Sequence, residues 1–407
     1  MCIRDSFVSS VNDLLGTAFT LNKIILPLAI SFFTFQQITY LVDSYKGETK
    51  EYSFLNYCLF VTFFPQLIAG PIVHHREVMP QFADKSTYRF NPENLVVGLT
   101  IFILGLFKKV VFADTIATFA TPVFDAAAHG TSINFLTAWG GALAYSLQLY
   151  FDFSGYTDMA IGSARMFGIK LPLNFNSPYK ASSIIDFWRR WHMTLSSFLR
   201  DYLYIPLGGN RKGKQRRNLN LMITMLLGGL WHGAGWNFIF WGGLHGIYLI
   251  INHQWQTLTK FLGYDPKKSS WWVKALSILV TFLAIVVSWV FFRAADMNAA
   301  IAILQGMVGK NGGIFYYESG LVKTYLLSLA LLAIAWFTPN TQQWLEKYQP
   351  ALDTKVRMLN WSWFDSLWQK LYWRPNRIFG FVLGSAIFLI VKIALQAPQS
   401  EFLYFDF

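Results

Sequence analysis

What most constrains this chain is the recurrence, from Ile24 to Leu395, of apolar runs about as long as a bilayer core is thick. A hydrocarbon core of about 30 Å needs roughly 20 apolar residues in a helix. That ruler picks out runs near 24–42, 54–70, 94–112, 133–151, 218–231, 234–252, 273–292, 321–337 and 378–396. The spacing predicts an all-α polytopic membrane protein with about eight to ten membrane helices. It reads as one domain over 1–407, with a catalytic centre about 150–252 and C-terminal helices over 273–407. Composition agrees, since 14% of the residues are charged where a soluble chain carries about 25%.

The formal charge of +12 comes from 34 Lys and Arg against 22 Asp and Glu. Most of the cations sit in connections between apolar runs, where the positive-inside bias and anionic lipid headgroups account for them. No nucleic-acid partner is expected. Cys2 and Cys58 alone build neither a disulfide framework nor a thiolate metal site. The stretch Met1–Asn22 lacks the n-region, apolar core and cleavage pattern of a signal peptide, so insertion rests on internal helices.

Pro65 and the stretch Ile68-Ala69-Gly70-Pro71-Ile72 predict a broken, re-entrant segment, tolerated at membrane depth only inside protein or beside water. Gly229 and Gly233, and Gly242 and Gly246, each share a helical face, as close helix packing requires. Pro339–Arg377, rich in Trp and Tyr, suits an interfacial amphipathic belt. The connection Asn174–Asn220 is unusual: from Asp186 to Arg217 basic residues outnumber acidic ones eight to two. Positive-inside logic places it on the cytoplasmic face.

Ionisable groups in or beside membrane segments are functional candidates by default. No charged residue lies between Arg217 and Asn252, yet His232 sits in that stretch. Burial keeps an imidazole neutral and able to accept a proton; a hydrogen-bonded packing role is the plainer alternative. His192 follows Asp186-Phe187-Trp188-Arg189-Arg190-Trp191, where Asp186 and Arg190 fit an i,i+4 pair on an interfacial helix. His245 cannot share a face with His232 on one continuous helix, and is read as structural unless that helix breaks. His74, His75 and Glu77 lack a metal-site pattern, so no metal is expected. Gly208–Gln215 mimics a P-loop, but Gln215 stands where Ser or Thr is needed. Asp152 and Asp158 fit helix caps or partners of Arg165 better than an acid/base pair. Without a GxSxG elbow or Cys–His arrangement, the simplest enzymatic chemistry is attack by a substrate hydroxyl activated by histidine.

The stretches Phe64-Pro65-Gln66-Leu67-Ile68-Ala69-Gly70-Pro71-Ile72, Asp152–Gly162, Phe187–His192 and Leu230-Trp231-His232-Gly233 together resemble the membrane-bound O-acyltransferase family. The resemblance is to its bacterial polysaccharide branch, typified by alginate O-acetyltransferase membrane subunits, with teichoic acid D-alanyl transfer proteins as cousins. It covers about residues 24–407 and implies a waisted helical ring with interfacial helices and a central tunnel. It implies His232 as the catalytic histidine and His192 at the second signature position. Asp186, Arg189, Arg190, Trp231 and Asn237 are taken as substrate-binding candidates, and Arg189, Arg190, Arg211 and Lys212 could attract a phosphate-bearing donor or an acidic carrier protein, with headgroup anchoring as the alternative. That branch carries hydrophobic segments before the one at 24–42, so the resemblance implies an N-terminally truncated chain.

The implied activity is transfer of an acyl group, acetyl above all, from a cytoplasmic thioester toward hydroxyls of an exported polysaccharide. No bound cofactor is expected; acetyl-CoA or an acyl carrier protein would be the co-substrate. Implied partners are membrane lipid, an SGNH-hydrolase-type protein outside the cytoplasm and the exopolysaccharide acceptor, and the implied location is the bacterial cytoplasmic (inner) membrane. Three alternatives remain at this point: D-alanyl transfer to teichoic acid, a transporter or export channel lined by Asp152, Asp158, His192 and His232, and a scaffold for glycan assembly.

Overall fold

The computed structural model describes residues 30–49, 53–67, 70–233, 235–263, 269–311, 320–352 and 373–396, with a few positions before residue 18. The beginning of the 24–42 run, residues 353–372 of the Trp-rich connection and the first six residues lie outside that set. Among the described residues the fold is all-α, and the one β-bridge joins Pro172 to Leu352.

A long hairpin organises the molecule. Asn91 caps α4 through its Oδ1 (the first three helices, α1 Ile30–Tyr45, α2 Phe54–Thr62 and α3 His75–Ala83, precede it), and Pro92 opens the helix. Pro is suited to that position because the first N–H has no helical partner. α4 (Pro92–Phe107) passes through a π-helical stretch, Lys108–Ala113, into α5 (Asp114–Ala128). α6 (Phe135–Met166) is capped by Asn134 and returns along the whole length. Gly98 meets Gly162 and Gly105 meets Gly155 at this seam, where a Cβ on any of them would strike opposing backbone. In lipid, such close backbone packing replaces the hydrophobic drive between helices.

The hairpin is also held by charge at its centre. Lys108 Nζ lies 2.6 Å from Asp158 Oδ2, and Lys109 Nζ lies 2.5 Å from Asp114 and 3.2 Å from Asp152. Thr341 Oγ1 and Gln342 Nε2 also donate to Asp158, at 2.6 and 3.0 Å. The expected pairing of these aspartates with Arg165 is therefore replaced by the two lysines; Arg165 instead reaches the Tyr348 carbonyl at 3.3 Å.

The remaining helices pack around this hairpin. They are α7 (Ile184–Trp188), α8 (Met193–Leu199), α9 (Gly213–His232), α10 (Trp236–Phe261), α11 (Trp271–Arg293), α12 (Met297–Met307), α13 (Leu321–Phe337) and α14 (Arg377–Gln396). Trp241, Trp289, Tyr145, Phe153, Phe187 and Phe292 fill the core between them. The broken second run takes its expected form: α2 stops at Thr62, one turn spans Phe64–Leu67, and the chain from Gly70 to His74 is irregular.

Among the described residues, three helical segments are long and apolar enough to cross a membrane by length and composition: Pro92–Ala128, Trp271–Arg293 and Arg377–Gln396. That is fewer than the apolar runs suggest, for a physical reason. α6 buries Gln148, Asp152, Ser154, Asp158 and Arg165 inside protein, and α9 begins in the basic segment Gly213–Arg217, so neither has uniformly apolar content. The described part of the Trp-rich connection is no simple surface belt either, since Leu345 and Ala351 are buried and Thr341 reaches Asp158.

Candidate active site

His232 is the last residue of α9, and Gly233 leaves the helix with extended backbone. A side chain at Gly233 would run into the Phe238 ring, so the tight exit needs glycine. α10 starts at Trp236 and doubles back along α9. At their seam a Cβ on Gly242 would strike the Met225 carbonyl, and one on Gly246 would meet Met222 Sδ. Of the four glycines expected to mediate close helix packing, Gly229, Gly242 and Gly246 do so, whereas Gly233 lies past the end of its helix.

This break answers the condition set on His245. Because α9 ends at His232 and α10 begins at Trp236, the reversal puts Trp241 between the two histidines, its ring centroid 5.2 Å from His232 and 4.9 Å from His245. Trp231 at 4.6 Å and Phe292 at 5.0 Å complete the aromatic surround of the buried His232. Trp231 in turn packs on Phe35 at 4.9 Å.

His192 lies where a continuous interfacial helix was expected from Asp186 onward. α7 instead stops at Trp188, and His192 adopts a left-handed conformation, φ 42°, as it begins α8. For a non-glycine residue that conformation costs about 1–3 kcal/mol and persists only where surroundings impose it. Asn174 supplies them. Its Oδ1 accepts from the Thr194 backbone N–H at 3.3 Å and the Thr194 hydroxyl at 2.9 Å, and lies 3.0 Å from His192 Nδ1. An oxygen engaged by those donors fixes His192 as a donor through Nδ1, so in the neutral ring Nε2 carries the lone pair. Asn174 was not a sequence candidate. A fully buried asparagine between Leu173 and Phe175 is the signal that marks it.

One aromatic cluster joins the two sites: Trp191 contacts Trp289 at 5.0 Å, Trp289 stacks on Trp241 at 5.8 Å, and Trp241 touches His232. His192 and His232 are near enough to interact electrostatically. A cavity of about 590 Å³ is bordered by Thr39, Asp43, His74, Thr194 and Tyr202.

The other candidates divide. Asp186 and Arg190 form the expected pair at 2.9 Å, and Arg190 also reaches the Asn176 carbonyl. Arg189, Arg211 and Lys212 are exposed. Asn237 uses its amide to hold the end of α11, donating to Phe291 O at 3.3 Å and Ala294 O at 2.9 Å.

Sequence spacing also missed Asp43, which gathers with His74 and His75 within 4.8 Å. The charge it would offer a cation is already met, because Arg76 Nη2 sits 2.8 Å from the same oxygen that both imidazoles approach at 3.0 Å. Outside the candidate spans, burial pushes the His74 imidazole down to about 4, the neighbouring His75 adds to this, and Asp43 opposes it. Burial works to raise the Asp43 carboxyl, but hydrogen bonds from Arg76, His75 and Tyr202 hold it below its ordinary value.

The sequence profile of the membrane-bound O-acyltransferase family matches residues 20–292. The chain is 52% identical over 334 residues to the peptidoglycan O-acetyltransferase of Helicobacter pylori, covering 76% of this chain and 62% of that protein. It is 39% identical over 394 residues to a probable alginate O-acetylase of Pseudomonas putida, covering 96% and 76%. It is 31% identical over 281 residues to the teichoic acid D-alanyltransferase of Streptococcus thermophilus, covering 65% and 68%.

Proposed function

Because the chain belongs to the membrane-bound O-acyltransferase family, we propose that it moves an acetyl group from a cytoplasmic thioester toward the hydroxyls of a glycan outside the cytoplasmic membrane. The observation that carries this reading is the convergence of two buried histidines, His232 and His192, in one aromatic cluster. The names of the relatives support acetyl as the group and an envelope polysaccharide as the destination. The higher identity to a peptidoglycan enzyme makes peptidoglycan the first acceptor to try, with alginate second.

His232 takes the proton from the acceptor hydroxyl while its oxygen attacks the thioester carbonyl. The C–O bond forms, the C–S bond breaks, and the proton passes to the departing thiolate. General-base assistance of this kind is worth about 10²–10⁴-fold. The aromatic rings of Trp231, Trp241 and Phe292 exclude water and surround the imidazolium that forms, an attraction that strengthens when desolvated. His192, with its Nε2 lone pair, is suited to accept a hydrogen bond from a second donor group of the acceptor and so orient it, because the one hydrogen of the attacking hydroxyl goes to His232. Polarising the carbonyl would require a second proton on that ring.

The cavity beside Thr194 supplies a donor-side approach, and exposed Arg189, Arg211 and Lys212 offer charge to acetyl-CoA or an acidic acyl carrier protein; long-range attraction of this kind raises encounter rates. Asp186 and Arg190 serve this surface as a pair. The recipient of the acyl group is an SGNH-hydrolase-type partner that passes it to the glycan, and the location is the bacterial inner membrane. The chain spans 62% of the length of the Helicobacter protein. In proteoliposomes with labelled acetyl thioester, partner and either peptidoglycan or alginate, label should reach one glycan. His232→Ala should slow transfer about 10²–10⁴-fold. Transfer at an undiminished rate overturns the assignment, and solute flux without thioester consumption favours a transporter.

A further inference from the structure

His245 is fully buried, and each ring nitrogen has a partner whose chemistry leaves no choice of proton position. Trp188 Nε1 lies 3.2 Å from His245 Nδ1. An indole nitrogen can only donate, so Nδ1 must hold the lone pair. The ring proton is then on Nε2, which donates to Ser288 Oγ at 3.0 Å, and Ser288 donates onward to the Ile285 carbonyl at 2.7 Å. Every hydrogen in the series is assigned. With its lone pair already engaged by Trp188, His245 is not a general base in this arrangement.

The same bonds tie together three parts of the chain. Trp188 ends α7, His245 lies on α10, and Ser288 lies on α11. From Trp188 to His192 the chain is held by Trp191 N–H to Phe187 O at 2.8 Å, Asn176 N–H to Arg190 O at 2.9 Å and Met193 N–H to Asn174 O at 2.9 Å. One helical turn before His245 on α10 is Trp241, the ring that contacts His232. A displacement of Trp188 relative to α10 would therefore be passed to the spacing of His192 and His232.

We propose that His245 is a positioning residue of the acyl-transfer site: held as its Nε2–H tautomer between Trp188 and Ser288, it locks the segment carrying His192 to the helix pair carrying His232. This rests on the acyltransferase reading above. His245 touches no reacting group; it acts through Trp188 and Trp241.

The test combines kinetics with histidine ¹⁵N NMR on the full-length protein in detergent. Trp188→Phe keeps a ring and removes the N–H, and Ser288→Ala removes the second anchor. Both should lower kcat, by about 10²-fold if the two histidines part by about 1 Å, while KM for the thioester and the melting temperature hold. His245→Asn still presents an oxygen toward Trp188 and should recover more of kcat than His245→Leu. In the wild type, His245 should show the Nε2–H tautomer and no titration around pH 6.5, where an ordinary histidine titrates. The His232 resonances should shift in Trp188→Phe, a readout that needs no turnover and so survives failure of the acyltransferase reading. An Nδ1–H tautomer, a titrating His245, unmoved His232 resonances or wild-type kcat in Trp188→Phe would each overturn the proposal.

Discussion

Replacing Asp158 with asparagine should be among the most damaging single changes to stability in this chain, and the reason lies in what it leaves behind. Lys108 and Asp158 expose 17% and 8% of their side chains, and their charged atoms are 2.6 Å apart. Asp158→Asn removes the carboxylate that, among the described residues, pairs with Lys108 within 4 Å, stranding an ammonium at the centre of the α4–α6 hairpin. Breaking a buried pair in this way costs about 3–5 kcal/mol. Lys108→Met should cost less, because Asp158 keeps its hydrogen bonds from Thr341 and Gln342. The double variant removes both charges, and its asparagine carbonyl can still accept from one of those donors. Exchanging a buried pair for neutral groups is often close to neutral, so the double variant should lie within about 1–2 kcal/mol of the parent. The cycle would be measured by reversible denaturation in mixed micelles, with the coupling taken as the difference between the double change and the sum of the singles. Strictly additive losses, or an Asp158→Asn protein as stable as the parent, would refute the account.

Two further outcomes follow from geometry already described. Gly242→Ala should destabilise by about 1–3 kcal/mol, the usual cost of overpacking, whereas Gly243→Ala next to it meets only Leu226 Cδ2 at 3.5 Å and should be tolerated; equal melting temperatures for the two would contradict the seam. His74 is held near 4 in the fold and is near 6.5 when unfolded, so between those values the unfolded chain binds more protons and stability rises with pH. The contribution is fully present above pH 6.5 and is lost as pH falls toward 4, about 3 kcal/mol at most for a shift of that size. Denaturation curves across that window should flatten in His74→Gln, and an unchanged slope would assign the pH dependence elsewhere.

Much of this was legible from residue order because it depends on local chemistry. The Pro65–Gly70 break and the glycine seam around Gly242 are each dictated by what proline and glycine permit at those positions. Partners that arrive from distant turns were not legible. Asp158 meets Lys108 because a π-helical stretch, Lys108–Ala113, departs from the regular winding on which angular arguments rely. The same limit applied to His245, whose relation to His232 depended on α9 ending at His232 rather than running on into α10.

The histidines show where reading by residue type stops being informative. His192, His232 and His245 are all buried, and by burial and apolar setting alone they are interchangeable. They differ in what engages the ring nitrogens, and those partners are residues with no motif of their own. Asn174 donates nothing to His192 and accepts from its Nδ1, leaving a lone pair on Nε2; Trp188 does the opposite to His245, taking up its lone pair. A base needs a lone pair, so these two neighbours separate a ring that can handle a substrate proton from one that can only hold its surroundings in place. If that division is right, exchanging the neighbour should exchange the role: Asn174→Leu would release the tautomer of His192 and diminish turnover, although the histidine itself is untouched.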